Sequence, residues 1–391
     1  MPPAHVGVVG TTAPSHVHPS LGLVRELVAR GHRVTYAIGE TLAPLVAGTG
    51  AEPIVHPSVL PDADWSGDIV ASMDLFLDDG VAALPVVMAA WADDPPAVVL
   101  HDIGGHAGPP AAQRLGVPSV QVSPAHVAWE GYEEDMAEAL APIRESEAGR
   151  RHFGRFADWL AESGVTRPVD DVLGRPERGL VLIPRVMQPH ADRVPASFRF
   201  VGPCIDPARL ALDGWDPGDD GRPLLYVGFG TAFTDHLDLY RGVVDRFGGG
   251  DWRVVISTGS TVAPEDLGPL PRGVEAHRSV DQIAVLRHAR AFVTHAGMGG
   301  ITEALWFGVP MVAVPQAVDQ FANAERLAEI GAGVHVPQDQ AAPEALERAV
   351  REVAADAAVA RRLAEIRADL HATGGAGRAA DAVEEIIAAR H

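Results

Sequence analysis

The sequence predicts an α/β protein of two domains, each built on a parallel sheet between layers of helices. The chain has 391 residues, which exceeds what one compact core usually serves. Short apolar runs alternate with amphipathic stretches, stop at a segment rich in Gly, Pro and Asp at 213–223, and then start again. Such alternation implies right-handed crossovers, so we expect two facing Rossmann-like domains with a cleft between the carboxyl ends of their strands.

The predicted elements also give the domain boundaries. The first domain should span 1–212, with strands at 5–10, 33–38, 52–56, 97–103, 118–122, 178–183 and 198–201, and helices at 19–30 and within 127–164. Pro53 predicts that the third strand is short or lies at a sheet edge. After the linker at 213–223, the second domain should span 224–374, with strands at 224–228, 253–257, 291–294 and 311–314, and helices at 301–307, 320–330 and 343–355. We expect a last helix, at 375–391, to pack back on the first domain.

The composition excludes several classes of protein. A net charge of -21 repels nucleic acids and anionic membranes, so we expect neither as a partner. All 31 basic residues are arginine, which excludes Schiff-base lysines and the lysine of P-loop NTPases. The single cysteine, Cys204, allows no intrachain disulfide and is expected to be buried. Because the N-terminus lacks a signal core and the longest apolar stretch, 81–92, is too short to span a bilayer, we expect a cytoplasmic protein.

A glycine-rich turn at 294–303 is the strongest candidate binding segment. It follows an apolar strand, contains Gly297, Gly299 and Gly300, and enters a helix. Glycines let the backbone approach an anion closely, and the first turn of a helix offers unpaired N–H groups to a phosphate. His295 can donate to a phosphate oxygen, and Glu303 can accept from ribose hydroxyls. A structural turn is the alternative interpretation.

Two polar residues follow the next strand at the same edge of the predicted sheet. Asp319 and Gln320 form an adjacent carboxylate and amide, a combination suited to vicinal sugar hydroxyls. Asp319 could instead, or in addition, cap the following helix.

A second cluster in the first domain has the composition of a general base. His16 lies in the segment 15–19 between the first strand and its helix, and His101 and Asp102 end another strand at the same edge. A carboxylate beside a histidine fixes its tautomer and stabilises the imidazolium that forms on proton transfer. We predict that His16 is the base, whereas His18 should point elsewhere.

These motifs together resemble the family 1 glycosyltransferases of the two-Rossmann (GT-B) type, above all the bacterial macrolide glycosyltransferases of the oleandomycin type. The resemblance covers nearly the whole chain. It lies in five segments: HVHP at 16–19, VLHDI at 99–103, LIPRVMQPHAD at 182–192, HAGMGGITE at 295–303 and VPQAVDQFAN at 314–323.

The resemblance implies an inverting, metal-independent transfer of a hexose from a nucleotide diphosphate sugar to a hydroxyl of a hydrophobic small molecule such as a macrolide or polyphenol. It implies no cofactor beyond this co-substrate, and we expect a monomer or homodimer. His16 would be the base and Asp102 its partner. The donor would be held by residues of the second domain: Thr231 near the phosphates, His295 and its glycine turn on the diphosphate, Glu303 on the ribose, and Asp319 and Gln320 on the sugar.

One departure from the family concerns the nucleotide base. Members often carry a Trp that stacks on uracil in a Trp-Val-Pro-Gln pattern, but the matching residues here are Ser279 to Gln282. Ser279 cannot stack, so a thymine nucleotide remains open beside a uracil nucleotide, and Gln282 could still bond a base edge.

The acceptor pocket is predicted in loops of the first domain. Candidate wall residues are Met73 and Phe76, within 65–76, and Ser123 and Trp129, within 123–129. An apolar lining would suit a bulky hydrophobic acceptor. The alternative is that these side chains close the core.

The sequence also allows two alternative functions and two alternative metal sites. The chain could be a sugar-nucleotide epimerase or hydrolase on the same fold, or a non-catalytic partner protein; the latter would be expected to lose His16 or His295, which this chain keeps. Asp62 and Asp64 have the spacing of a metal-binding Asp-x-Asp but lie in a Pro-rich loop, where we expect a solvated turn. A zinc site on His16, His18 and His101 lacks ligands at helical spacing, and no metal is expected.

Overall fold

The computed structural model describes residues 2–61, 68–212, 215, 220–230 and 234–389. They form two compact units, Met1–Asp206 with Thr373–His391, and Pro207–Ala372. Each unit has one fully parallel sheet with helices, so the predicted α/β class with two Rossmann-like domains is confirmed. Among the described residues no helix is long and apolar enough to span a membrane.

The first unit contains a seven-stranded sheet in the order β3-β2-β1-β4-β5-β6-β7. Pro53 lies in the edge strand β3, where its missing N–H is tolerated, as predicted. The strands are β1 His5–Val9, β2 Arg33–Gly39, β3 Glu52–His56, β4 Val98–Asp102, β5 Ser119–Ser123, β6 Gly179–Val181 and β7 Phe198–Phe200. The helices up to residue 206 are α1 Pro14–Ala29, α2 Ala43–Ala47, α3 Ile69–Ala90, α4 Gly108–Leu115, α5 Tyr132–Asp135, α6 Ala137–Glu145, α7 Glu147–Glu162 and α8 Val169–Leu173.

The second unit contains a six-stranded sheet in the order β10-β9-β8-β11-β12-β13. Its strands are β8 Leu224–Gly228, β9 Arg253–Ser257, β10 Val274–His277, β11 Ala289–Thr294, β12 Met311–Ala313 and β13 Gly333–His335. Its helices are α9 Pro207–Leu210, α10 Leu237–Phe247, α11 Gln282–Leu286, α12 Met298–Phe307, α13 Gln320–Glu329, α14 Pro343–Ala355 and α15 Ala357–Thr373. The strands β10 and β13, which form the two edges of this sheet, were not predicted.

The last helix, α16 Gly375–Ala388, belongs to the first unit and packs on α1. Val383 and Ile387 of α16 join the same buried cluster as Leu21 and Val24 of α1. At the edge of this contact the Arg30 guanidinium donates to the carboxylates of Glu26, Asp381 and Glu384, at 2.9, 2.6 and 2.8 Å. The first unit is therefore completed by residues that lie more than 150 positions away in the chain.

Three boundaries differ from the sequence prediction. Helix α1 begins at Pro14 and not at residue 19, because proline suits the first turn of a helix; His16 and His18 consequently lie in the helix. The predicted helical region 127–164 is divided: Gly131, with φ of +81°, precedes α5, and the Ser146 hydroxyl caps α7. Residues 207–212 group with the second unit, since the side chain of Arg209 and the carbonyl of Leu210 have partners there.

Both sheets reverse their strand order at one point. In the first unit the reversal lies between β1 and β4, and in the second between β8 and β11. Loops that follow these strands diverge to opposite faces and leave a crevice at the carboxyl edge, which is where open α/β sheets bind ligands. The predicted base and the predicted phosphate turn follow strands at these two reversal points.

Candidate active site

His16 and Asp102 are brought together at the reversal point of the first sheet. The Nδ1 atom of His16 lies 2.8 Å from Oδ1 of Asp102, the last residue of β4. An ionised carboxylate can only accept, so Nδ1 carries the proton and Nε2 of the neutral ring is left as the basic nitrogen. The His16 side chain is 22 % exposed, whereas that of Asp102 is 8 % exposed, so a buried carboxylate lies behind a histidine that solvent can reach.

The environment of Asp102 keeps its carboxylate charged. Burial by itself would raise the pKa of Asp102, but the neighbouring His16 and three hydrogen bonds bring that pKa below its ordinary value. These bonds come from His16, from the Thr11 hydroxyl at 2.5 Å and from the Gly104 backbone N–H at 2.9 Å. A carboxylate that stays ionised can both orient the imidazole and stabilise its protonated form.

One of the predicted acceptor residues lies beside this pair. The Phe76 ring is 6.3 Å from the His16 ring, centroid to centroid, and both it and Met73 are half-buried on α3. A Cβ atom at position 104 would come within 3.1 Å of the Phe76 ring, so the small residue there makes room for it. Phe76 therefore presents apolar surface beside the His16 ring.

The other two residues predicted for the acceptor pocket form hydrogen bonds with residues near them in the chain. The buried Ser123 hydroxyl donates to the carbonyl of Ala125 at 2.9 Å, within a turn. The indole N–H of Trp129 donates to Asp135 at 2.7 Å, and its ring packs against Tyr132. These contacts fit the interpretation, also drawn from the sequence, that such side chains close the core.

His295 is enclosed by two glycines at the reversal point of the second sheet. A Cβ at Gly230, whose φ is +76°, would lie 2.8 Å from Nε2 of His295, and a Cβ at Gly297 would lie 2.5 Å from the same atom. Burial lowers the pKa of His295 to about 4, with the charge of Asp319 opposing this shift. The ring is therefore neutral near pH 7 and offers one N–H.

The predicted phosphate turn forms the start of α12. Gly297 precedes the helix without a capping side chain, and Gly299 and Gly300 lie in its first turn. A Cβ at Gly299 would meet nothing within 4 Å, which leaves open space beside the first-turn N–H groups that have no partner within the helix. Thr231, predicted nearby, lies outside the described residues.

Glu303 and Gln282, predicted for the ribose and the base, are joined to each other. The Gln282 amide donates to Oε2 of Glu303 at 2.7 Å, and the Tyr226 hydroxyl donates to the Gln282 carbonyl oxygen at 3.3 Å. The other oxygen of Glu303 accepts from Arg209 at 2.6 Å. Both carboxylate oxygens thus have protein partners that fix their orientation. Ser279 is exposed.

Asp319 and Gln320 lie at the start of α13, after a strained turn. The Gln320 side-chain oxygen accepts from the backbone N–H groups of Gln316 and Ala317, at 2.8 and 3.2 Å. Val318 has φ of +45°, a conformation that a β-branched residue rarely adopts, and its side chain is 60 % exposed. The Asp319 side chain does not cap α13 but accepts from Asn323 at 2.9 Å.

Three residues that contact the candidate site residues or their turns were not predicted. Thr11 bonds Asp102 across 91 positions, Arg209 pairs with Glu303 across 94, and Asn323 contacts Ala296 across 27. Only Asn323 lies in a segment that the sequence had singled out.

The alternative metal sites gain no support. Asp62 and Asp64 lie outside the described residues. Within the part of the chain that the structure describes, no group of three or more His, Cys, Asp or Glu side chains has metal-binding geometry. Cys204 is buried, as predicted, and burial raises the pKa of its thiol to about 12.

Comparisons with known proteins identify relatives of the whole chain. Residues 241–386 match the family model of the erythromycin biosynthesis protein CIII-like C-terminal domain. The oleandomycin glycosyltransferase of Streptomyces antibioticus is 44% identical over 397 aligned residues, which cover 100% of this chain and 92% of the relative. The solved structure of a glycotransferase of kitacinnamycin is 43% identical with a TM-score of 0.90, covering 98% of this chain and 99% of that one.

A calicheamicin glycosyltransferase of known structure is 33% identical, with a TM-score of 0.85 and 99% of each chain covered. Full-length identity of this degree, together with TM-scores of 0.90 and 0.85, identifies the protein family. The chain therefore belongs to the family 1 glycosyltransferases of the GT-B fold, in the group of bacterial macrolide and antibiotic glycosyltransferases, and is an enzyme of that kind.

Proposed function

We propose that the enzyme transfers a hexose from a UDP- or dTDP-linked donor to a hydroxyl of a hydrophobic small molecule, with inversion and without a metal ion. The relatives of the chain indicate that it is a natural-product glycosyltransferase that uses nucleotide sugars. The observation that best supports the proposed mechanism is the His16–Asp102 pair at the reversal point of the first sheet.

In the proposed reaction Nε2 of His16 takes the proton of the acceptor hydroxyl. The acceptor oxygen then forms a bond to the anomeric carbon of the sugar, and the bond from that carbon to the diphosphate oxygen breaks. The electron pair of the broken bond leaves with the nucleoside diphosphate. A single displacement of this kind inverts the anomeric centre, and Asp102 stabilises the imidazolium that forms.

The diphosphate is proposed to bind at the start of α12. The neutral His295 ring donates one N–H, and the first-turn amides of the helix supply more donors and a positive dipole end. These groups can stabilise the negative charge of the leaving group without a cation, which is the physical basis for the metal-free proposal.

The nucleoside and sugar are assigned to the neighbouring residues of the second unit. Glu303 has an orientation fixed by Gln282 and Arg209, which suits an acceptor for ribose hydroxyls. Asp319 and the amide N–H groups of Gln320 are proposed to bind the hexose. Because Ser279 offers no aromatic surface, either a uracil or a thymine nucleotide can be the donor.

The acceptor is proposed to be hydrophobic because the Phe76 ring lies beside His16, the proposed general base. A macrolide or a polyphenol would supply both an apolar body and a hydroxyl. The proposed partners are accordingly this acceptor and the nucleotide sugar.

Product formation from a matrix of nucleotide sugars and a panel of macrolides and polyphenols tests the proposal. Mass spectrometry should find an acceptor heavier by one hexose, and proton NMR of the new anomeric centre should report inversion. Release of free nucleotide at the same rate with and without acceptor would instead indicate a hydrolase, and a retained anomeric configuration would contradict the single displacement.

A further inference from the structure

Asn323 connects the two parts of the proposed donor site. It lies on α13, one turn after Asp319, and is only 1 % exposed. Its side-chain Nδ2 donates to the backbone carbonyl of Ala296 at 3.0 Å and to Oδ2 of Asp319 at 2.9 Å. One amide group therefore contacts both the turn assigned to the diphosphate and the carboxylate assigned to the sugar.

The turn at Ala296 needs such support. Ala296 lies between His295 and Gly297 and has φ of +65°, a left-handed conformation that residues other than glycine adopt at a cost. Its backbone N–H donates to the Thr294 hydroxyl at 3.2 Å, and its carbonyl accepts from Asn323. Both polar groups of the strained residue are thus held by side chains.

The orientation of the Asn323 amide is determined by its partners. Both atoms that face Nδ2 are oxygens that can only accept, so a flipped amide would place its own oxygen against them. The buried Oδ1 of Asn323 has no hydrogen-bond partner among the described residues. Burying an acceptor without a partner costs free energy. Packing alone would favour an apolar side chain at this position, so the two hydrogen bonds from Nδ2 are the feature that requires an amide.

We propose that Asn323 is a positioning residue that couples the phosphate-binding turn to Asp319 and so aims the carboxylate at the sugar hydroxyls. The inference rests on the proposed function, because it assumes that Asp319 contacts the sugar and the turn contacts the diphosphate. Asn323 itself touches neither substrate in this assignment. It fixes one oxygen of Asp319 and leaves the other to the sugar.

The test separates sugar recognition from nucleotide recognition. Calorimetry would give Kd for UDP-glucose and UDP, and for dTDP-glucose and dTDP, in the wild type, Asn323→Ala, Asp319→Ala and the double variant. The quantity of interest is the ratio of the Kd of the nucleotide sugar to that of its nucleoside diphosphate. Asn323→Ala should raise this ratio by about tenfold, and should raise it no further in the Asp319→Ala background.

The isosteric variant Asn323→Asp provides a second measurement if the alanine variant folds poorly. When ionised it keeps the side-chain volume, has no N–H donor and adds a negative charge beside Asp319 and the Ala296 carbonyl, so the ratio should rise at least as much as in Asn323→Ala. Glu325→Ala, on the exposed face of the same helix, is the matched control and should leave every Kd unchanged. In steady state the donor KM should rise in Asn323→Ala while the acceptor KM stays within about twofold.

The outcomes distinguish the inference from the function on which it rests. An equal loss of affinity for nucleotide sugar and nucleoside diphosphate, or an unchanged effect in the Asp319→Ala background, would overturn the coupling role and leave the transferase intact. Failure of the wild type to bind either nucleotide sugar would overturn the proposed donor and the inference together.

Discussion

At the residue scale, the proposed chemistry depends on one imidazole, that of His16, which lies against the buried carboxylate of Asp102. Asp102 receives three hydrogen bonds at a single oxygen, from His16, Thr11 and Gly104. A carboxylate so surrounded remains ionised well into the acid range, because its pKa lies below the ordinary value. The Asp102 carboxylate therefore stays charged opposite His16 near neutral pH.

Removal of the base is the first prediction. His16→Ala should lower kcat by roughly 10²–10⁴-fold, which is the usual contribution of a general base. The residue is assigned no contact with the donor, so the Kd of the nucleotide sugar should stay within about twofold. Single-turnover product formation and calorimetry measure the two quantities.

His16→Gln is the matched variant, because it keeps polar volume but cannot accept a proton near neutral pH. A loss of donor affinity parallel to the loss of rate would contradict the assignment of His16 as base.

The predicted site residues lie in local motifs, whereas the residues that were not predicted act through contacts far apart in the chain. His16, Asp102 and His295 lie in recognisable motifs at the ends of predicted strands. Thr11 and Arg209 act through side-chain contacts with residues more than 90 positions away, and no local pattern carries that information.

At the element scale, the first unit depends on a helix contributed by the end of the chain. Helix α16 buries Val383 and Ile387 against α1, which itself carries His16. Loss of packing between α16 and α1 should therefore disturb the position of His16, the proposed base, as well as the stability of the unit.

The second prediction concerns this contact. Val383 is fully buried, so Val383→Ala should lower the free energy of unfolding of the first unit by about 1–3 kcal/mol through lost apolar burial and a small cavity. Chemical denaturation followed by circular dichroism checks the value. Ala388→Ser, on the exposed side of α16, is the control and should change stability by less than about 0.5 kcal/mol. Equal stability of the two variants would mean that α16 is not part of the folded core.

Apolar periodicity in the sequence was enough to locate the ends of some helices but not of others. The amphipathic pattern located α14 at both ends, because Pro343 marks its start and its apolar face is regular. The start of α1 was placed too late, since Pro19 resembles a first-turn proline although the helix already begins at Pro14.

At the scale of the whole molecule, each unit buries a histidine that stays neutral. Burial lowers the pKa of His101 in the first unit and of His295 in the second to about 4, from an ordinary value of 6.5. Below pH 6.5 the unfolded chain takes up protons that the folded chain does not bind until about pH 4. Stability must therefore fall as the pH decreases through this window.

The third prediction follows from this linkage. Each of these histidines should contribute a slope of up to about 1.4 kcal/mol per pH unit to the loss of stability on acidification. Denaturation curves at pH 7, 6 and 5 measure the slope, and His101→Gln should reduce it for the first unit. A slope unaffected by that variant would mean that His101 is protonated in the folded chain.

The fourth prediction concerns metal ions. Chelators should leave the rate of transfer unchanged, because backbone N–H groups and His295 are proposed to balance the charge of the leaving group. Rates would be compared with and without a chelator, and then after addition of excess Mg²⁺ or Mn²⁺. A rate that collapses with chelator and returns with the cation would contradict the metal-free mechanism.

The sequence by itself determined the fold class, most of the strands and the segments that follow them, because apolar periodicity and glycine spacing are local properties. The tertiary structure alone decided which side chains meet: Thr11 with Asp102, Arg209 with Glu303, and Asn323 with both Ala296 and Asp319. It also decided that α16 completes the first unit and that 207–212 pack with the second. These contacts join residues far apart in the chain, and their geometry is fixed only when the sheets and helices have packed.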